Sequence, residues 1–411
     1  MKPARKRIVM LILLWMWVGP LAAQVEKPLV PAATIPFEWH RGLIYLQIEV
    51  DSLGHFPFLF DTGTPGSFLY RDEAVAMGLP IKKQKRQLHE RDSLDYGKVK
   101  RLTYRLSGIQ LPVRSVTVFR RTHFPLLQGR HCIGVIGTDL LDAFVVEVDY
   151  AQQQLRLFDR STYEAGEAFY AIDCKTYKGT PVLPIRLEEG AQVWEHRVAL
   201  HTGFNGTLAL SERTARKFDH YEPYPDYLYG YDIILPGHFY PRRKVSLEEL
   251  QMVGITYRQV PIDLVRREKS LIFRPYWMDG IVGNELLSLF TWAIDIRSNT
   301  LYVKPRPDKT APQRIISWHG MRFTTNRSQE RLLVYDVLPN SPAEKAGIRP
   351  GDEIIALYDT PFSTLSLAEV EAMLSGSKKK VQVYVKQGKT IYDKIFRLQP
   401  MYAPGAASGI D

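Results

Sequence analysis

The 411-residue sequence has only two cysteines, Cys132 and Cys174. That excludes a disulfide-stapled scaffold and a cysteine-rich metal cluster. It has no Cys-x-x-Cys and no His-x-x-x-His pair, so no metal or cofactor is expected. His201 with His123 or His131 lacks metal-ligand spacing. Low-complexity tracts are missing, and 45% of the residues are apolar. A sizeable core can therefore form, and disorder is not the default. No nucleic-acid-binding motif is present. The net charge of +10 sits in short clusters, KKQKR at 82–86 and Arg pairs at 120–121, 242–243 and 266–267. These read as solvated faces, and nucleic acid is not an expected partner.

A run long enough to cross a membrane, roughly 20 apolar residues, is also lacking. The apolar run 8–18 has eleven residues. It lies within MKPARKRIVMLILLWMWVGPLAAQ, behind Lys2, Arg5, Lys6 and Arg7 and ahead of Leu21-Ala22-Ala23, the three parts of a secretory signal. Cleavage after residue 23 would remove those four basic residues and leave a net charge of +6. No cysteine follows the site, so a lipid anchor is not expected. The expectation is an exported chain, in the periplasm or at the cell surface, with no stable membrane span and a monomeric or weakly dimeric state. In an oxidising compartment Cys132 and Cys174 either pair or remain buried thiols, and the sequence leaves both open.

What the sequence does have is an internal repeat. FLFDTGTPGSFLY at 58–70 is echoed by VALHTGFNGTLAL at 198–210. Each copy is an apolar run, then x-Thr-Gly, a small turn and a second apolar run. A second landmark follows in each unit: VIGTDLL, whose Gly137 lies 76 residues after Asp61, and IVGNELL, whose Gly283 lies 82 residues after His201. The units span about 36–159 and 171–304. Both read as β-rich, with LIYLQIEV and FPFLF flanking a turn, and VVEVDY and LRLF flanking another. A short helix is expected after each of the two glycines, with Leu140, Leu141 and Phe144 on one apolar face and Leu286, Leu287 and Phe290 on the other.

The Asp61-Thr62-Gly63-Thr64 stretch resembles the catalytic loop of the retropepsin- and pepsin-like aspartic peptidases. The later VIGTDLL run resembles the element packed behind that loop. The resemblance covers both units and implies two pseudo-symmetric β-barrel lobes, each supplying one aspartate. Two carboxylates about 3 Å apart cannot both ionise, so one activates water and the other donates a proton. Thr62 would, by the same resemblance, hydrogen-bond across to the other lobe. Gly63 would allow close approach of the loops, and Thr64 would orient Asp61. In the second copy Thr202 and Gly203 remain, but His201 replaces the carboxylate and Phe204 the hydroxyl. Three readings stay open: a degenerate peptidase that binds polypeptide without cutting it, a mixed Asp61–His201 acid–base pair, and pairing of Asp61 with its counterpart in another chain.

Two stretches are candidates to cover the cleft. RQLHERDSLDYGKVKRLTYRL (86–106) reads as a hairpin with Tyr96-Gly97 near its tip. YEPYPDYLYGYDIILPGHFY (221–240) is rich in aromatic residues, Tyr229 among them, that suit peptide side chains. Beyond the linker KPRPDKTAP, SPAEKAGIRPGDEIIAL (341–357) resembles the core of a PDZ domain of the kind attached to exported bacterial proteases. Ser341 and Glu344, then Ser366 and Glu369, read as helix-capping boxes. The resemblance implies an added peptide strand and capture of a terminal carboxylate. RSQERLLVYDV (327–337) reads as the capturing loop and strand, with Arg331 on the carboxylate and Leu332, Leu333 and Val334 opposite Val370 and Leu374. The expected layout is a signal at 1–23, lobes at 24–162 and 163–305, a linker at 306–314, an α+β PDZ domain at 315–400 and a tail at 401–411. The expected function is polypeptide binding in the interlobe cleft and the PDZ domain. Hydrolysis through Asp61 is one form of it, and an inactive binding scaffold is the alternative.

Overall fold

In the computed structural model the described residues are 29–89, 92–119, 131–189, 191–211, 214, 228–231, 239–265, 278–309, 315–325, 331–338 and 340–402. The signal segment lies outside them. Among them, no helix is long and apolar enough to cross a membrane.

The chain is mainly β. The first lobe holds β1 (Ala33–His40), β2 (Leu43–Val50), β3 (His55–Phe60), β4 (Phe68–Tyr70), β5 (Lys82–His89), β6 (Asp92–Leu106), β7 (Ile109–Phe119), β8 (Gly134–Ile136), β9 (Val145–Asp149) and β10 (Gln154–Phe158). The second holds β11 (Tyr170–Asp173), β12 (Lys175–Tyr177), β13 (Thr180–Glu189), β14 (Gln192–Leu200), β15 (Leu208–Ser211), β16 (Leu228–Tyr231), β17 (Phe239–Met252), β18 (Ile255–Val265), β19 (Gly280–Val282), β20 (Phe290–Asp295) and β21 (Thr300–Pro305).

The two lobes repeat one topology. In the first, β3 runs parallel to β8, and β4 runs antiparallel to β8 and parallel to β7. In the second, β14 runs parallel to β19, and β15 runs antiparallel to β19 and parallel to β18. The antiparallel pairs β2–β3, β2–β6 and β6–β7 likewise match β13–β14, β13–β17 and β17–β18. The short helices expected behind each loop are present at Thr138–Ala143 and Asn284–Leu287, with their leucines buried.

One connection was not visible in the sequence. The terminal hairpins of the two lobes, which read as separate local units, join edge to edge through β9 and β20, with Val146 opposite Ile294 and Val148 opposite Trp292. The result is a six-stranded platform in the order β11-β21-β20-β9-β10-β1 beneath both lobes. Four of five residues in β9 and five of six in β20 are buried. Such near-continuous apolar runs need cover on both faces. A single core cluster accordingly contains residues of both lobes, from Ile35 and Phe58 to Leu250 and Trp292.

The last unit has β22 (Ile315–Ser317), β23 (Met321–Thr325), β24 (Leu332–Val337), β25 (Glu353–Leu357), β26 (Thr360–Pro361), β27 (Lys380–Gln387), β28 (Thr390–Arg397) and β29 (Met401–Tyr402). Its core is separate and includes Phe323, Val334, Val370 and Leu374. Ser366 and Glu369 form the expected reciprocal capping box on the helix Leu367–Met373. Ser341 caps the helix Pro342–Lys345, but Glu344 reaches back to the amide of Asn340 rather than to that of Ser341. Cys132 and Cys174 are buried thiols not joined to each other. Burial, with Asp173 and Asp295 nearby, pushes the Cys174 thiol up to about 11.

Candidate active site between the lobes

Each repeated loop is held by the glycine of its second landmark. A Cβ added at Gly137 would lie 1.9 Å from the Gly66 carbonyl oxygen and 2.1 Å from that of Thr64. One added at Gly283 would lie 2.4 Å from the Gly206 carbonyl oxygen. Only glycine admits this close passage of two backbones. The amides of Asp61 and His201 donate to the carbonyls of Ile136 and Val282, each at 3.0 Å. Thr138 and Asn284 donate backbone N–H groups to the carbonyls of Thr64 and Phe204, at 3.0 and 2.8 Å.

The two loops meet face to face. The Thr62 amide donates to Thr202 Oγ1 at 3.0 Å, and the Thr202 amide donates to Thr62 Oγ1 at 3.2 Å. Each hydroxyl also donates across the interface, Thr62 to the Leu200 carbonyl at 2.6 Å and Thr202 to the Phe60 carbonyl at 3.0 Å. Four hydrogen bonds thus relate the loops by an approximate two-fold axis. Gly63 and Gly203 are exchanged by the same axis, each packed against the first residue of the opposite loop. A Cβ at Gly63 would fall 2.3 Å from the His201 ring, and one at Gly203 would fall 2.6 Å from Asp61 Cγ.

At the centre, His201 Nδ1 lies 2.7 Å from Asp61 Oδ1. Asp61 is 0% exposed and His201 2%. Asp61 Oδ1 also accepts the amides of Gly63 and Gly203, both at 2.9 Å, while Oδ2 accepts the Thr64 hydroxyl at 2.5 Å. Burial alone would raise the Asp61 pKa. The charge and hydrogen bond of His201, with those of Thr64 and Gly63, outweigh burial and hold the carboxyl below its ordinary value. Asp61 is therefore an ionised carboxylate near neutral pH, held by three hydrogen-bond donors and the contact with His201. It has no carboxyl neighbour in this cluster with which to share a proton.

The second loop differs from the first in what it packs. Phe204, at the position of Thr64, is buried in a cluster with Val182, Ala199 and Ile281. Its ring lies where a Cβ on Gly206 or Gly283 would stand, at 2.4 and 2.5 Å. A hydroxyl that orients a carboxylate in one lobe is a core aromatic in the other. Asn284, at the position of Thr138, is a site residue that motif reading missed. Thr138 serves its own lobe by accepting the Gly66 amide at 2.8 Å. Asn284 instead donates Nδ2 to the Thr202 carbonyl at 2.5 Å and to the Gly42 carbonyl at 2.8 Å, and accepts the Tyr150 hydroxyl at 2.8 Å. Only the Thr-to-Asn difference between the two landmarks marked it in the sequence.

Tyr96 and Gly97 are not at a hairpin tip. They sit inside β6, opposite Phe119 and Val118 of β7, and the β5–β6 hairpin reverses between His89 and Asp92. Gly97 is buried in a continuing ladder, so the Tyr-Gly pair is a strand segment and not a turn. Tyr229 lies in β16, opposite Pro241 of β17. This hairpin is the second-lobe counterpart of β5–β6. Tyr221, Tyr224 and Tyr227 lie outside the described residues, as does His123. His131 is 2.9 Å from Glu73 and remote from the pair.

In the last unit the expected groove strand is corrected. β24 is flanked on both sides, by β23 and β25, so it cannot accept a peptide strand. The terminal strand on this side, among the described residues, is β23. Arg331 is engaged bidentately by Glu353, at 2.9 and 2.7 Å, so its charge is already answered. Leu332, Val334, Val370 and Leu374 are core residues and Leu333 is half-buried. Gln329 and Glu330 lie outside the described residues.

Residues 313–386 match the PDZ domain family. The carboxyl-terminal-processing protease of Synechocystis sp. is 33% identical over 84 residues, 20% of this chain and 20% of that protein. The chain thus spans about a fifth of that curated relative's length. Among solved structures, the photosystem II D1 C-terminal processing protease shares 27% identity over 20% of this chain and 23% of its own, with a TM-score of 0.19. The aspartic proteinase from Irpex lacteus shares 13% identity over 68% of this chain and 98% of its own, with a TM-score of 0.41.

Proposed function

We propose that the protein is an exported polypeptide-binding protein on a two-lobed, aspartic-peptidase-like frame, in which the Asp61–His201 pair locks the lobes instead of cutting the bound chain. The observation that carries this reading is that the Gly63 and Gly203 amides, the Thr64 hydroxyl and the His201 ring all engage Asp61 in a buried cluster. Metal-free hydrolysis by a carboxyl pair needs one ionised and one protonated group at the same water. Here one carboxyl is missing and the other is held ionised. The Thr62–Thr202 bonds need no catalysis to be worth keeping, because they join the lobes that form the cleft. Polypeptide is the ligand class because PDZ domains bind peptides, and the groove between the lobes would hold a second stretch of the same chain.

A second reading has its own observation. The 2.7 Å contact of His201 Nδ1 with Asp61 Oδ1 is short enough for proton transfer, so Asp61 would serve as base and His201 as acid. A peptide-library digestion separates the two readings. The expected result is no cleavage by the natural protein or by Asp61→Asn, together with retained peptide binding. Cleavage by the natural protein that Asp61→Asn abolishes would establish the hydrolytic reading instead.

A further inference from the structure

The hairpin turn between β1 and β2 reaches the last unit. Arg41 ion-pairs with Glu371 on the helix Leu367–Met373, and its guanidinium stands over the Phe323 ring of β23, 5.4 Å from the centroid. His319 stacks on the same ring at 5.7 Å and lies 3.9 Å from Glu371. Arg41 therefore fills the seam between terminal strand β23 and this helix, the place where a PDZ domain takes an added peptide strand. Its backbone is in the left-handed region, with φ of +50°, in a two-residue turn with Gly42 at +79°. A bulky side chain in that conformation costs about 1–2 kcal/mol, so the turn holds Arg41 in this place against a local preference for glycine or asparagine.

The loop before β23 is not arranged for a terminal carboxylate. The amides of Gly320 and Met321 are already taken, by Ser317 Oγ at 2.8 Å and His319 Nδ1 at 2.9 Å. The seam's own charged group, facing Arg41, is the anion Glu371, which repels a carboxylate and suits a cation. An aromatic face and a carboxylate around one guanidinium are a built site for a basic side chain.

We infer that this seam binds polypeptide segments carrying an arginine or lysine side chain, and that Arg41 is an internal occupant which such a segment must displace. The inference rests on the polypeptide-binding reading and adds the recognised side chain and a self-competition. A groove closed by its own residue binds its ligand more weakly by the fraction of molecules that are open. Displacement also frees the turn whose carbonyls accept Asn205 Nδ2, at 3.2 Å from Arg41, and Asn284 Nδ2, at 2.8 Å from Gly42.

The test uses the full chain and fluorescence anisotropy with a labelled ten-residue Ala/Ser peptide, blocked at both ends, with one central arginine. Its controls are the same peptide with alanine at that position, and an arginine-free peptide with a free C-terminal carboxylate. Arg41→Ala is expected to tighten binding of the arginine peptide by about tenfold or more, as for a groove open in a tenth of molecules or fewer. Glu371→Gln, on an accessible helix position, is expected to erase the preference for arginine over alanine without unfolding the domain. Equal binding of all three peptides, unchanged by Arg41→Ala, would overturn the groove assignment while leaving polypeptide binding intact. Preference for the free carboxylate, lost in Arg41→Ala, would make Arg41 a carboxylate anchor and also overturn it. Binding of none of the peptides, by the natural protein or either variant, would bring down both readings.

Discussion

At the scale of single residues, the Asp61 carboxylate sets how the protein responds to acid. Its folded pKa lies below the ordinary value, and an unfolded aspartate titrates near ~3.9. A group lowered on folding stabilises the native state above the unfolded pKa, and that contribution is lost as pH falls through the folded one. Urea unfolding followed from pH 7 down to pH 3 is therefore expected to show a loss of stability below about pH 4 that Asp61→Asn does not share. Parallel profiles for the two proteins would remove the ionised carboxylate from the account. The threonines make a separate prediction. Thr62→Val leaves the Thr202 amide and the Leu200 carbonyl without the partners seen here. Each buried group orphaned in this way costs about 1–3 kcal/mol. A thermal-shift measurement should show Thr62→Val and Thr202→Val lowering the midpoint by similar amounts, because the bonds they lose are related by the pseudo-symmetry.

At the scale of elements, the two loops diverged by unequal steps. The Thr-Gly pair stayed because the lobes cannot approach without it, and both copies were legible in the sequence for that reason. The exchange of Thr64 for Phe204 was legible as a lost hydroxyl, but not as a ring that became part of a core. That gain predicts how the site can be rebuilt. His201→Asp alone supplies a second carboxylate but no hydroxyl to orient it. The double variant His201→Asp with Phe204→Thr supplies both, at the expense of a cavity where the ring stood. Digestion of a peptide library at acid pH is expected to show more cleavage by the double variant than by His201→Asp, and none by the natural protein. More cleavage by the single variant would mean that Thr64 has no counterpart role to restore. Strand reading fared best where alternation and turn residues were local, as in β2–β3 and β9–β10. It failed where a long-range partner decided the outcome. Tyr96-Gly97 read as a turn because glycine is a turn residue, yet β7 continues the ladder past it. Arg331 read as the contact for a peptide carboxylate because Glu353, its partner, is 22 residues away in sequence. β24 read as a groove strand because nothing local says that β23 lies outside it.

At the scale of the whole molecule, the pattern of burial divides the chain differently from the repeat. The repeat describes two lobes, each with a loop, a landmark and a terminal hairpin. The buried residues describe one body, because β9 and β20 join the lobes in a single sheet and one core cluster runs through both. Asn284 reinforces the junction from above, tying Thr202 of the second lobe to Gly42 and Tyr150 of the first. The last unit has its own core and meets the first lobe through Arg41, Glu371 and Phe323. Elements that share a core unfold together, whereas units joined by a few polar contacts unfold apart. Scanning calorimetry is therefore expected to resolve two transitions, a larger one for the paired lobes and a smaller one for the PDZ unit. Asn284→Ala should lower the larger transition and leave the smaller in place, since its three side-chain partners all lie in the lobes. Glu371→Gln should leave the larger transition in place, because it removes a polar contact between the two units and none of the buried ladder between β9 and β20. Three separate transitions, with the lobes melting independently, would mean that the platform does not bind them into one cooperative body and that the Asp61–His201 contact is made between two domains free to part.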